Sequence, residues 1–334
     1  MVSRAGEETP GRGRRILITW LVLLGLLIAA FVGTVLLLNL SLYSASGFVG
    51  SYLGSLARHD VAAALATPGV VRANDANSEL LVPAALADLG GLRLSSDTDE
   101  GSGVHRVSYQ YDFAGAKGTT TFVVEYTGTR LGFFSTWSFR TSPVSILQVT
   151  PQHAAAFTAN GLHLMPKGGP GVATAYQVLT PGMFVLGHTS TYLTATSGSV
   201  LVKDPSSIVA AEIDIQANKA FVDQLQSELD SVLDQCATQQ VLLPTGCPFG
   251  QQMANRIEDL PVWSMSAYPK ITILPGAEPG TWLVPDTPAA AHLKVQVRSL
   301  FDGTLSTFDA DVPFTVRYLI TFSGDGAPTI TLQG

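Results

Sequence analysis

The residues in this chain best suited to chemistry are six histidines, two groups of closely spaced carboxylates and a set of tyrosines on alternating segments. Two imidazoles bind a metal when they share a face, at i,i+2 in a strand or i,i+4 in a helix. His59, His105, His153, His163, His188 and His292 stand at neither spacing, and each is expected in a loop or at a strand edge. Asp97, Asp99 and Glu100 form a run that could hold a hard cation, but Ser, Thr and Gly around them read as a solvated loop. Asp309 and Asp311 have the composition of an acid–base pair; bracketing Ala310 between two strand-like runs, they read as turn residues. HExxH, GxSxG, SxxK, GxGxxG and the phosphate-binding loop are all absent from the sequence. No catalytic, cofactor-binding or metal site is predicted.

The elements that would position such groups point the same way. In His105–Phe113, Val107, Tyr109, Tyr111 and Phe113 alternate with Arg106, Ser108, Gln110 and Asp112. Thr120, Phe122, Val124 and Tyr126 follow, then Leu131, Phe133, Trp137 and Phe139, with turns at AGAKG and TGTR. Period-two runs of this kind predict an antiparallel meander with one buried and one wet face. The ionisable residues assigned inward are tyrosines, Tyr109, Tyr111, Tyr126 and Tyr318, whereas Arg106, Asp112, Glu125, Lys294 and Arg298 fall on the wet face. An unpaired buried charge costs several kcal/mol, so a filled apolar interior is the cheaper arrangement.

Ahead of these strands, Ile16–Leu38 is an uncharged run of 23 residues. As a helix it reaches about 34 Å, enough to cross an apolar bilayer core. Arg12, Arg14 and Arg15 abut its start, with Arg4 upstream, and the next basic residue is Arg58. The positive-inside rule therefore predicts residues 1–15 in the cytoplasm, a membrane span over 16–38 through which the chain meets the lipid bilayer, and the bulk outside. The run is longer than the apolar region of a secretory signal, so the anchor is expected to be retained. Gly25, Ala29 and Gly33 recur every four residues, a candidate contact face for a second copy of the helix.

Charged residues make up 13% of the 334 residues, and the net charge of −7 excludes the basic surface of a nucleic-acid binder. Cys236 and Cys247 both follow the span, and an even count outside the cytoplasm predicts a disulfide.

Phe48, Tyr52, Leu53 and Leu56 share a helical face, and Asp60 is placed to cap a second short helix, Val61–Ala66. Ala-rich 84–88 predicts a further turn. The pattern FVxxYLxxLxxxDVxxALA at 48–66, followed by strands ending in LGxFxxWxF at 131–139, resembles bacterial membrane-anchored proteins with nuclear transport factor 2-like (cone-fold) domains outside the cytoplasm. The resemblance covers about residues 45–142; it implies a helical pair wrapped by a curved antiparallel sheet, in a family whose functions range from isomerases to non-catalytic modules. Residues 143–204 are dense in turn signals and read as a small all-β module, in which LTPGMFV at 179–185 weakly resembles transthyretin-like sandwiches. Helix 218–236 then presents Phe221, Leu225, Leu229, Val232, Leu233 and Cys236 on one stripe. Strand-like runs with Trp263, Met265, Ala267, Ile271 and Ile273, then Leu293, Val295 and Val297, a turn at Asp302-Gly303, and Phe314–Phe322 complete a second helix-plus-sheet plan. FVGSYLGSL at 48–56 and FVDQLQSEL at 221–229 hint at duplication.

The predicted fold is α+β: cytoplasmic tail 1–15, transmembrane helix 16–38, a cone-like domain 39–142, a β module 143–204 and a second cone-like domain 205–334. The function expected is non-catalytic, a cell-membrane protein that binds or scaffolds an envelope protein or ligand through its outer domains. The alternative is an apolar small-ligand binder, or a weak isomerase or hydrolase, with Tyr109, Tyr111 and Trp137 lining the first cone.

Overall fold

The computed structural model describes residues 11–323 and 327–332, with side chains from Arg15 to Thr331. The expected cytoplasmic residues 1–10, Arg4 among them, and the side chains of Arg12 and Arg14 lie outside the described residues. The chain is α+β with mostly antiparallel sheets. It divides into two compact units, one of Met1–Ile146, Tyr176–Met183 and Leu201–Val209, the other of Leu147–Ala175, Phe184–Val200 and Ala210–Gly334.

Helix α1 (Gly11–Leu40) is the apolar segment. Its Arg15–Leu40 portion has a mean hydropathy of 2.9, and none of its most apolar window is buried. It is therefore no core helix of this chain, and by length and composition it suits a membrane span or a signal sequence. The hydroxyls of Thr19 and Thr34 donate to the carbonyls of Arg15 and Ala30 one turn back, leaving neither polar group unpaired on the apolar surface.

In the first unit α2 (Ala45–Ala57) is capped by Ser44, and α3 (Val61–Leu65) by Asp60, whose carboxylate accepts from the Ala63 amide at 3.0 Å. A single 3-10 turn forms at Pro83–Ala85. Four strands then form one antiparallel sheet in chain order: β1 (Gly90–Gly101), β2 (Val104–Phe113), β3 (Ala116–Arg130) and β4 (Phe134–Phe139). Val49, Tyr52, Leu53 and Leu56 of α2 pack with Val107, Phe122, Val124 and Phe139 of the sheet into one apolar cluster.

Three expectations for this sheet are corrected. Ser95–Gly103 is not a loop: most of it is the second half of β1, a polar edge strand whose side chains find partners across the ladder on β2. The β2–β3 turn is only Ala114-Gly115, both at positive φ, as a two-residue hairpin requires. TGTR is no turn, because a bulge at Gly128 (φ +132°) lets β3 run on to Arg130. The chain reverses at 131–133 instead, so Leu131 and Phe133 lie in the turn and are exposed; Tyr126, beside the bulge, is exposed as well.

The strands that follow are β5 (Val144–Gln152), β6 (Phe157–Ala159), β7 (Leu162–Leu164), β8 (Thr174–Leu179), β9 (Gly182–Thr189), β10 (Leu193–Val202), β11 (Ile208–Asp214) and β12 (Gln216–Ala217). They form a three-stranded sheet, β11-β5-β8, and a five-stranded sheet, β12-β10-β9-β6-β7. Residues 143–204 are thus β throughout, and their segments are shared between the two compact units.

In the second unit α4 (Lys219–Ala237), capped by Asn218, buries Phe221, Leu225, Leu229, Leu233 and Cys236. Val232 is exposed, because the buried stripe steps by four residues and Val232 falls beside it. The sheet is dominated by a long hairpin. Short β13 (Arg256–Ile257), β14 (Val262–Ala267) and β15 (Leu274–Pro275) pair with β16 (Thr281–Arg298), which pairs with β17 (Leu305–Phe322) and through it β18 (Pro328–Leu332). Ile271 and Ile273 are buried but outside any strand, since Pro269 breaks the ladder after Ala267. The hairpin's apolar face carries Val284, Leu293, Val295, Val316 and Ile320, all buried.

Candidate functional site

The residues proposed from sequence as a pocket separate into two places, both in the first unit. Tyr109 and Trp137 face the turn between α1 and α2. The Tyr109 hydroxyl donates to the Ser46 carbonyl at 2.9 Å, and the Trp137 indole N–H donates to the Tyr43 carbonyl at 2.8 Å. Beside them Asn39, at the end of α1, pairs with the β3–β4 turn in both directions: its amide nitrogen donates to the Phe133 carbonyl at 2.7 Å, and its oxygen accepts from the Ser135 amide at 3.0 Å. Asp97 completes the junction. Its carboxylate accepts from the Ser46 amide in the first turn of α2, at 3.2 Å, and from the His105 ring at 2.7 Å. A carboxylate at a helix N-terminus is favoured by the unpaired amides there. The His105 ring meets Trp137 edge-on at 5.0 Å. Gly47 is obligatory, because a Cβ there would stand 2.2 Å from the Ser41 carbonyl oxygen.

Sequence reasoning set aside Asp97 as a loop residue and His105 as a loop or strand-edge residue. The missed signal was the match between Asp97-x-Asp99-Glu100 and His105-Arg106 across a tight turn, which gives opposite charges facing one another on two strands; Arg106 meets Glu100 at 2.6 Å. The Tyr109 phenol is pushed above its ordinary pKa, first by burial and then by Asp97, so it remains a neutral hydrogen-bond donor.

Tyr111 lies apart from this junction. Its ring crosses Gly118 on β3, where an added Cβ would be 2.5 Å from the ring, and its hydroxyl shares a 2.9 Å hydrogen bond with Thr120, which donates to the Lys203 carbonyl. Burial raises the Tyr111 pKa against the effect of that hydrogen bond. The ring borders a groove of about 770 Å³ lined also by Arg93, Lys117 and Lys203. Among the described residues none of these three cations is in an ion pair. Asp112, the carboxylate in the lining, accepts from the Gly115 amide at 2.6 Å and is committed to the turn.

In the second unit Asp309 and Asp311 are not turn residues. They sit within β17, and His292, on the interior strand β16, lies between them, with Nδ1 2.8 Å from Asp311 and Nε2 2.8 Å from Asp309. Lys294 adds a contact to Asp309 at 3.1 Å. The reason is register: His292 faces Asp311 directly, and strand alternation returns Asp309 to the same wet face. A ring that donates from both nitrogens is an imidazolium, and the hydrogen bond to Asp311, opposed by desolvation and reinforced by Asp309, raises the His292 pKa above its ordinary value. Asp309 is lowered, mainly by Lys294 and then by His292. A raised folded-state pKa gives stabilisation that is complete below the unfolded histidine value and disappears as pH rises through the folded one. Replacing His292 by Gln should therefore cost stability at pH 5–6 and progressively less above neutrality, read as the wild-type minus variant melting temperature across pH. A difference constant with pH would refute the ion cluster. Among the described residues no group of three or more His, Cys, Asp or Glu is placed to hold a metal ion.

Cys236 and Cys247 are joined as a disulfide, with Cα atoms 5.8 Å apart. A Cβ added at Gly25 or Gly33 finds nothing within 4 Å, and Ala29 is exposed.

Comparison of the sequence with family models and with curated proteins, and of the structure with solved structures, found no match.

Proposed function

We propose that this chain is a single-pass membrane protein, amino terminus in the cytoplasm, that holds non-catalytic domains outside and uses them to bind or scaffold a cell-envelope partner. The observation that carries this reading is the junction of Asn39, Tyr43 and Ser46 with the four-stranded sheet. Asn39 holds the end of the apolar helix to the β3–β4 turn and Trp137 holds the link to α2 at Tyr43, an arrangement that suits a fixed stalk better than a leader removed after export. Tyr109 and Trp137, which would have lined a pocket, spend their polar atoms on that junction, whereas Tyr111 does not. The α2–α3 pair on a four-stranded meander is in keeping with the cone-like resemblance, which we retain for the first unit; the second cone and the intervening β module are proposed on the sequence pattern. The test is photo-cross-linking of the full chain in its native membrane, with protease added from either side. Protection of the bulk of the chain from the outer protease, or a chain free in the cytosol, would sink the proposal; recovery of one envelope protein through the outer units is the outcome expected.

A second reading is favoured by the groove beside Tyr111. Three cations that make no ion pair among the described residues, in a chain of net charge −7, suit a small anion such as a phosphate or carboxylate group. Titration of the full chain in neutral micelles with inorganic phosphate should saturate, and Lys117→Glu with Lys203→Glu should abolish the binding. Binding that does not saturate, or survives the double substitution, would remove this reading.

A further inference from the structure

The turn between β3 and β4 exposes apolar side chains that a water-facing hairpin has no reason to carry: Leu131 is 77% exposed and Phe133 52%. Neither is isolated. The Phe133 ring packs edge-on against Phe31 of α1, with centroids 5.5 Å apart. Phe31 lies nine residues before the end of α1 at Leu40, a depth of about 13 Å along the helix axis. The exposed apolar surface of α1 thus continues onto the turn, and also past the helix end at Leu40 and Leu42.

We propose that the β3–β4 turn is a second membrane element, a hairpin tip sunk into the outer leaflet beside the transmembrane helix. The inference rests on the reading of α1 as a bilayer span: if Phe31 is in hydrocarbon, the ring in contact with it is too. The occupant of this surface is lipid, because the surface is continuous with that of the span.

In lipid every paired backbone group removes a cost, and at Phe133 and Ser135 the pairing is provided. The Phe133 amide donates to the Arg130 carbonyl at 3.2 Å. The Phe133 carbonyl and the Ser135 amide are both taken by Asn39. An asparagine at the end of an apolar helix is costly unless its amide is used, and this one satisfies the hairpin it adjoins. Arg130, at the base of the turn, has the length to reach headgroups from there. Tyr43, its ring 4.6 Å from that of Phe134, and Trp137 supply the amphipathic aromatics that collect at a membrane interface.

The test uses nitroxide labels on single introduced cysteines, Leu131→Cys, Lys117→Cys and Leu27→Cys, in the full chain reconstituted into phosphatidylcholine vesicles. Both native cysteines are in the disulfide, so only the new thiol reacts. All three positions are exposed, which keeps the fold intact; Lys117 lies at the opposite end of β3 from the turn. Collision with oxygen should exceed collision with a water-soluble nickel chelate at 131 and at 27, and the order should reverse at 117. A label at 131 that behaves like 117 while 27 reads as lipid overturns the hairpin proposal alone. A label at 27 that behaves like 117 overturns the span and the hairpin with it.

Discussion

Phe122→Ala is expected to destabilise the first unit by about 3–5 kcal/mol, the usual cost of emptying an aromatic site in a packed core. Phe122 is wholly buried on β3, with its ring 6.0 Å from that of Tyr52 on α2 and 5.6 Å from that of Phe139 on β4. Its loss removes contacts from the helix layer and from the sheet together. For a unit of this size the loss amounts to about 10 °C or more in melting temperature, measured on the full chain in micelles. Tyr52→Phe provides the contrast, since it keeps the ring and deletes only the 2.9 Å hydrogen bond to the buried Thr180 carbonyl. Leaving that acceptor unpaired should cost about 1–3 kcal/mol. Equal losses from the two substitutions would mean that packing does not dominate this core.

The second large effect is expected at the disulfide. Cys236 and Cys247 are 11 residues apart, and closing a loop of that length removes unfolded-chain entropy worth about 3 kcal/mol. Cys236 is buried as the last member of the α4 stripe, so the bond ties the core end of the helix to the loop that follows. Gln239 braces the same loop, its oxygen accepting from the Thr245 amide at 2.8 Å. The double variant Cys236→Ala, Cys247→Ala should lower the unfolding midpoint of the second unit, and a reducing agent should shift the wild-type chain by a similar amount while leaving the variant unchanged. A wild-type midpoint insensitive to reductant would show that Gln239 and the α4 packing hold the loop without the bond.

Much of the local structure was legible because it depends on short-range periodicity. The α2–α3 pair, the Asp60 cap, the α4 stripe and the inward set Val107, Tyr111, Phe113, Phe122 and Phe139 all follow from spacing along the chain. The failures share a different cause. Asp97 and Asp99 looked like loop residues because an edge strand with no buried face has no apolar alternation to reveal it. Asp309 and Asp311 looked like a turn because their partner, His292, is 17 and 19 residues away and only register aligns them. Leu131 and Phe133 were assigned inward because apolar character was taken as burial in the protein, whereas β3 pairs as far as Arg130 and leaves them in the turn.

The sequence by itself determined the apolar helix, the cysteine pair, the α+β class and the aromatic composition of the first core, because each depends on residue type or on a repeat of two or four positions. Only the tertiary structure decided what the polar tips of those aromatics do. Tyr109 and Trp137 were equally suited to line a cavity or to hold a helix end, and the choice was made by the carbonyls of Ser46 and Tyr43 coming within hydrogen-bond reach. A hydrogen bond needs its partner within about 3 Å, and no periodicity along the chain encodes a distance between residues 63 or 94 positions apart.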